Sequence, residues 1–253
     1  MSSKEGRRSR LRRIAMHQLW SSGPFRDIPE SAAMELDVGS GNEHAVISTI
    51  HNKGGRAVAL ETTYRRSVEF WKGTVQGTPG DWSGPTPCTD WDVRALVNHV
   101  VGEDRWTKPL VDGMTIAEVG DTLDGDLLGE EDPKAVARAA ADEALTAVAE
   151  RLPAGGKVHL SYGEEDIEEY IRQLVADHLI HGWDLVVATG QHRTLDPELV
   201  AEVAAWFRDR EDIYRSSGSI AERPTSAKGG DSQADLLIAF GRNPDWAPNP
   251  RTR

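Results

Sequence analysis

The chain has 253 residues, 38% of them hydrophobic and 28% charged, an ordinary globular composition that is long enough to bury a sizeable core. Its formal net charge of −12 argues against general nucleic-acid binding, because an acidic surface repels phosphate backbones. The single cysteine, Cys88, excludes an intramolecular disulfide and a thiolate-rich zinc cluster. No apolar run approaches the roughly 20 residues of a membrane span, so we expect a cytoplasmic protein without membrane partners.

Residues 1–56 differ from the rest of the chain. Residues 1–13 hold six basic side chains against one acidic side chain, and no apolar segment typical of a signal peptide follows the paired arginines. A disordered basic extension over 1–56 is the favoured interpretation. One alternative is an arm that contacts nucleic acid or membrane. Another is that the true start of the protein lies further along the chain and that these residues are translated upstream sequence.

Helical periodicity begins at about residue 58 and ends near Gly77, Pro79 and Gly80. In a second helix, which continues past residue 101, Thr89 is a candidate N-cap with Asp92 three residues later. The apolar stripe of the first helix consists of Leu60, Tyr64, Val68, Trp71 and Val75. The later elements follow in order: a loop over 111–131, a third helix over 132–152, a short strand or extended segment over 157–162, a fourth helix over 165–188, a fifth from 196, and a last short helix over 232–241. This pattern predicts an all-α helical bundle with additional C-terminal helices.

The fourth predicted helix carries the clearest chemical signal. Asp177 and His181 are four residues apart, so they lie on one helical face and can grip a divalent ion together. A third ligand has to come from another helix, and His99, within an apolar run of the second helix, is the best candidate. Two histidines and one carboxylate would leave coordination positions open, as in catalytic metal sites.

Spacing alone leaves other interpretations open. His178 lies nearer the centre of the apolar stripe than His181, so periodicity does not choose between the two histidines. Asp177 and His181 could be a surface pair worth a few tenths of a kcal/mol. His99 could be an ordinary core histidine.

Three segments carry a specific pattern: 82–101 (WSGPTPCTDWDVRALVNHVV), 177–190 (DHLIHGWDLVVATG) and 231–246 (DSQADLLIAFGRNPDW). They contain a P-T-P-C-x-x-W-x-V…H block followed by a D-x-x-x-H-G-W-D-L block. These segments resemble the metal-binding domain of mycothiol-dependent maleylpyruvate isomerase, and more closely its small uncharacterised relatives in the DinB-like superfamily. The resemblance covers residues 58–246.

The resemblance implies a DinB-like four-helix bundle over 57–246, with one short strand pair as an optional addition and a tail over 247–253. It places the metal ligands at His99, Asp177 and His181, with Zn²⁺ the expected ion, although the isomerase has glutamate where this chain has Asp177. The isomerase also has a further C-terminal domain, for which we expect too few residues after Trp246. Maleylpyruvate isomerisation itself is therefore not expected.

The implied chemistry is activation of a low-molecular-weight thiol such as mycothiol, which attacks an electrophilic small molecule in a transferase or isomerase reaction. A non-catalytic metal-binding or sensor module is the alternative, and a non-haem iron oxygenase site is a third interpretation.

Five further residues near these motifs have predicted roles. Trp91 and Trp183 are expected to pack beside the site, and Asp184 to orient a ligand or cap a neighbouring segment. Cys88 lies close to a helix N-terminus that would lower its thiol pKa, although a packed turn residue is the favoured interpretation. Glu103, four residues after His99, is interpreted as a solvated helix residue rather than a fourth ligand.

Overall fold

A computed structural model describes residues 43–248 of the chain. Within this range lie eight α-helices, a single 3-10 turn at Leu152–Ala154 and two short strands. Their bounds are α1 Glu43–Gly77, α2 Val93–Val111, α3 Ile116–Val119, α4 Pro133–Arg151, β1 Lys157–Leu160, β2 Gly163–Asp166, α5 Ile167–Thr189, α6 Pro197–Phe207, α7 Glu211–Ser216 and α8 Ser232–Ala239.

Four of these helices form the bundle. α1 packs against α4 and α5, and α2 packs against the same two helices. The strands β1 and β2 pair antiparallel in a hairpin that joins α4 to α5, with Lys157 opposite Asp166 and Leu160 opposite Gly163. α6 packs on α5 and α8, so the C-terminal helices are additions to the bundle. The predicted all-α bundle with extra C-terminal helices and one strand pair is confirmed.

α5 is the central helix, and most of its residues are buried. A helix that is buried on every side lies inside a core, where its polar side chains need partners. It ends at Gly190, whose φ of 71° lies in the left-handed region that glycine adopts without a steric penalty. This helix therefore carries its aspartates and histidines into the middle of the molecule.

Several boundaries differ from the sequence prediction. α1 begins at Glu43 rather than near residue 58, and the short helices α3 and α7 carry no periodic signal long enough to predict them. The rest of the predicted extension, residues 1–42, lies outside the described residues, so the division of the chain at residue 56 stays a prediction. No helix within residues 43–248 is both long and apolar enough to cross a bilayer.

The predicted N-cap of α2 is wrong, because the helix is capped three residues later than expected. Asp92, not Thr89, caps the helix, and its side chain accepts a hydrogen bond from the Ala95 N–H at 2.8 Å. The chain before it is held in a non-helical turn. Thr86 Oγ1 accepts from the Cys88 N–H at 3.1 Å, and its single proton is shared between the carbonyl oxygens of Cys88 and Trp91, at 3.0 and 2.8 Å. α2 therefore cannot begin before this turn closes.

Candidate metal centre

Side chains from α2 and α5 converge at one point between the two helices. His99 of α2 and His181 of α5 each place Nε2 at 3.5 Å from Oδ1 of Asp177. One ligand atom from each of the three residues lies within 4.8 Å of the others. Asp177 and His181 are fully buried, and 8% of the His99 side chain is exposed. The structure thus brings together the three residues that the sequence and the resemblance point to.

Three ligand atoms in this cluster fit a cation. Among the described residues, neither oxygen of Asp177 nor Nε2 of His99 has a hydrogen-bond partner. The 3.5 Å separations are longer than the usual 2.7–3.2 Å of an N–H···O hydrogen bond. Two atoms bound to one tetrahedral zinc ion lie about 3.3 Å apart, given Zn–N and Zn–O distances near 2.0–2.1 Å. Buried polar atoms without partners are costly, and a bound divalent ion would satisfy them.

The orientation of the His181 ring is set by a contact at Nδ1, the ring nitrogen that does not face Asp177. Its Nδ1 lies 3.0 Å from Oδ2 of Asp184, one turn further along α5. Because a carboxylate oxygen can only accept, Nδ1 carries the proton and Nε2 is the nitrogen directed toward Asp177. This histidine–carboxylate pair is the usual support of a metal-binding imidazole. The predicted orienting role of Asp184 is consistent with this contact.

Charges inside the cluster balance one another. Burial disfavours the imidazolium, yet Asp177 and Asp184 raise the pKa of His181 well above its ordinary value. Burial likewise opposes ionisation of Asp177, but the neighbouring His181 and His99 hold the pKa of that carboxyl below its usual value. For His99, burial outweighs Asp177 and lowers the pKa, so its ring is neutral near pH 7 and able to act as a ligand.

His178 has different partners from His181. Its Nδ1 donates to the Leu174 carbonyl at 2.7 Å, and its Nε2 lies 3.1 Å from Oδ1 of Asp104 on α2. The rings of His178 and of Tyr64 on α1 are nearly perpendicular, with centroids 5.8 Å apart. Both ring nitrogens are therefore engaged away from the cluster, although His178 and His181 are equally buried.

Cys88 lies behind the cluster rather than in it. Its Sγ is 3.2 Å from Oδ2 of Asp184 and 3.9 Å from Nδ1 of His181. Burial raises the pKa of the Cys88 thiol, with Arg242 opposing that shift. The predicted lowering of this pKa by the helix N-terminus is wrong, because the side chain is packed into the core and only 5% exposed. Cys88 is the packed turn residue.

The two tryptophans of the motifs have different positions. Trp91 is half-buried and lies against the His99 and His181 rings, with centroid distances of 4.6 and 5.6 Å. Trp183 is fully buried in the larger of the two hydrophobic clusters that the described residues form, together with Tyr64 and Leu179. Trp91 packs beside the site as predicted, whereas the same position for Trp183 stays a prediction. Because Trp91 and His99 retain exposed surface, a small molecule would approach the cluster on their side.

The interpretation of Glu103 as a solvated residue is wrong, and Arg242 was overlooked. Glu103 is 5% exposed rather than solvated, and burial beside Asp177 raises the pKa of its carboxyl well above the usual value. Its i+4 spacing from His99 was the available signal, since it places both on one face of α2. Arg242, which contacts Asp184 from 58 residues further along the chain, lies in the segment 231–246 of the resemblance but was given no role there.

Comparisons with known proteins found similar sequences over part of the chain. Residues 64–186 match the Mycothiol maleylpyruvate isomerase N-terminal domain family. Two uncharacterised proteins, from two strains of Mycobacterium tuberculosis, are each 34% identical over 134 residues. The match covers 49% of this chain and 64% of each relative, so the chain spans less than two thirds of their length. No solved structure matches. The likeness to this family covers residues 64–186, which include all three residues of the cluster.

Proposed function

We propose that this protein binds one divalent cation through His99, Asp177 and His181, with Zn²⁺ as the first candidate. The observation that carries the proposal is the set of three buried ligand atoms without hydrogen-bond partners in the described chain, namely Nε2 of His99 and both oxygens of Asp177. Nitrogen and carboxylate donors in this combination suit zinc. Asp177 is one methylene shorter than the glutamate that the family resemblance implies at this position.

We further propose that the centre serves a thiol-dependent transferase or isomerase reaction, with mycothiol or a similar small thiol and an electrophilic small molecule as substrates. The family match supports the thiol, and three protein ligands leave room for one more donor. When bound, the ion would supply the charge that keeps a thiol deprotonated at neutral pH. The proposed location of this reaction is the cytoplasm, where low-molecular-weight thiols stay reduced.

The chain's own residues would orient and shield this reaction. Asp184 holds the Nδ1 proton of His181, so that Nε2 points inward. Trp91 covers the His99 ring and forms an apolar wall on the approach side. Burial of Asp177 excludes water from its carboxylate, which strengthens its attraction for a cation.

A metal-binding or sensor module without catalysis is the second candidate. Its support is the enclosure of the site, because only His99 of the three proposed ligands has exposed surface. A ligand as large as a sugar-containing thiol would then need Trp91 to move. Thiol-dependent consumption of an electrophile by the metal-loaded protein decides between the two candidates.

The ligand assignment is tested by elemental analysis of purified wild type and of His99→Ala, Asp177→Ala and His181→Ala. Wild type is expected to hold about one ion per chain, and each variant to lose most of it, because removing one of three ligands leaves the site incomplete. His178→Gln is the matched control, since His178 is equally buried on the same helix but bound to Asp104.

Stoichiometric metal in all three ligand variants would overturn the assignment. Loss of metal in His178→Gln alone would show that the other histidine of the helix is the ligand. Circular dichroism of each variant separates loss of the ligand from loss of the fold.

A further inference from the structure

Arg242 enters the bundle from outside the family-matched segment. It follows α8 and Gly241, and it is 3% exposed. Gly241 has a φ of 75°, and a Cβ at this position would lie 2.6 Å from the Ala221 carbonyl oxygen. Only glycine fits at this position of the turn. The backbone turn at Gly241 therefore places the Arg242 side chain in the interior.

The guanidinium is bound to Asp184 through two nitrogens. Nη2 donates to Oδ2 at 2.8 Å, and Nε lies 3.1 Å from Oδ1. Nη1 donates to the Phe240 carbonyl at 3.0 Å, and Nη2 also lies 3.0 Å from Sγ of Cys88. Such paired contacts fix the plane of a carboxylate as well as its position. Arg242 and His181 hold the pKa of Asp184 below its usual value despite the burial.

The Asp184 carboxylate that Arg242 holds in place also contacts His181 of the metal cluster. Oδ2 of Asp184, which accepts from Arg242, is also the atom 3.0 Å from Nδ1 of His181. Cys88, His181 and Asp184 form a second group of side chains whose ligand atoms lie within 4.8 Å of one another. Because the guanidinium already places a positive charge against Asp184 and Cys88, this second group does not need a metal ion.

We propose that Arg242 is a positioning residue for the metal centre, acting through Asp184 to keep Nε2 of His181 directed at the ion. The inference rests on the proposed function, because it assigns a purpose to the orientation of a proposed ligand. It connects the C-terminal segment after α8 to a site whose three ligands all lie between residues 99 and 181. Loss of this support should leave the three ligands in place but weaken their hold on the metal.

Zn²⁺ affinity, measured on the full chain by competition with a chromogenic chelator, tests this inference. Arg242→Gln and Asp184→Asn are each expected to weaken Zn²⁺ binding by about 10- to 100-fold, the usual effect of removing such supporting contacts. The double variant should lose no more than Asp184→Asn alone, because Arg242 acts through Asp184. Arg242→Lys should restore little, since an ammonium cannot make the paired contact.

Arg210→Gln is the matched control. Arg210 binds Glu169, at the other end of α5, through two nitrogens at 2.6 and 2.9 Å. Its removal breaks an ion pair of the same paired geometry but greater exposure, so it should lower thermal stability somewhat while leaving Zn²⁺ affinity unchanged. The visible spectrum of the Co²⁺-loaded protein should change in Arg242→Gln and stay the same in Arg210→Gln.

The possible outcomes distinguish a failure of the proposed metal site from a failure of the positioning role of Arg242. A folded wild-type protein that binds no Zn²⁺ overturns the proposed function and this inference together. Zn²⁺ binding that is tight in wild type and equally tight in Arg242→Gln overturns the inference alone, as does a double variant whose loss is the product of the two single losses. If Arg242→Gln does not fold, the charge-balanced double variant carries the test, and wild-type affinity in it would contradict the positioning role.

Discussion

Gly182, between His181 and Trp183, determines how closely α1 approaches α5. A Cβ at this position would lie 2.4 Å from Cε1 and 3.0 Å from Cδ1 of Phe70 on α1. These atoms belong to an aromatic ring that packs against the core, so the ring cannot move aside without disturbing its neighbours. The glycine of the H-G-W-D motif therefore has a packing reason rather than a chemical one.

We expect Gly182→Ala to lower the free energy of unfolding by about 1–3 kcal/mol, because the overpacking against Phe70 outweighs the better helix propensity of alanine, worth about 1 kcal/mol. Gly73→Ala is the control. It lies in α1, where a new Cβ would meet no described atom within 4 Å apart from its chain neighbours and the helix's own backbone, so the change should be neutral or stabilising. Denaturant unfolding measures both, and equal effects at the two positions would contradict the packing argument.

At the scale of one element, α2 shows how a helix start is selected. Asp92 accepts from the Ala95 N–H, and its backbone forms an isolated bridge with Pro85. The cap and the preceding turn are thus one unit, and that unit orients the face of α2 that carries His99. Thr89, the residue that the capping pattern favours, lies exposed in this turn.

Asp92→Ala should therefore cost about 1 kcal/mol of stability, the usual effect of removing a side-chain N-cap. Thr89→Ala should change stability by less than about 0.5 kcal/mol, as expected of an exposed residue without such a role. Chemical denaturation of the two variants tests the difference. A larger loss in Thr89→Ala would restore the N-cap predicted from the sequence pattern.

At the scale of the whole molecule, the proposed ligands connect two different helices of the bundle. His99 belongs to α2, whereas Asp177 and His181 belong to α5. An ion held between them would bind the folded chain and not the unfolded one, because the unfolded chain does not bring the three residues together. Metal binding is therefore expected to stabilise the whole bundle.

Zn²⁺ at about 100 times its dissociation constant should add about 2.7 kcal/mol of stability. For a chain of this size, that corresponds to a rise of about 5–10 °C in the unfolding temperature. Asp177→Ala should show no such rise, whereas His159→Ala, which removes a histidine of β1 outside the cluster, should retain it. Calorimetry with and without Zn²⁺ measures the shift, and an equal rise in Asp177→Ala would mean that the ion binds elsewhere.

Local sequence determined much of the architecture but only part of the candidate centre, because spacing alone did not choose between His178 and His181. Apolar periodicity predicted the helices of the bundle, since a helix that buries one face repeats its apolar residues every three or four positions. The four-residue spacing of Asp177 and His181 placed them on one face of α5. His99 came from the family resemblance, because nothing local distinguishes a ligand from a core histidine.

Only the tertiary structure decided which partner each polar side chain has. His178 and His181 have similar surroundings in sequence, yet one binds Asp104 and the other faces Asp177. Arg242 reaches Asp184 across 58 residues, a contact that no periodicity contains. The physical reason is that helical spacing determines which side chains share a face of one helix. What that face meets depends on how helices far apart in the chain pack together.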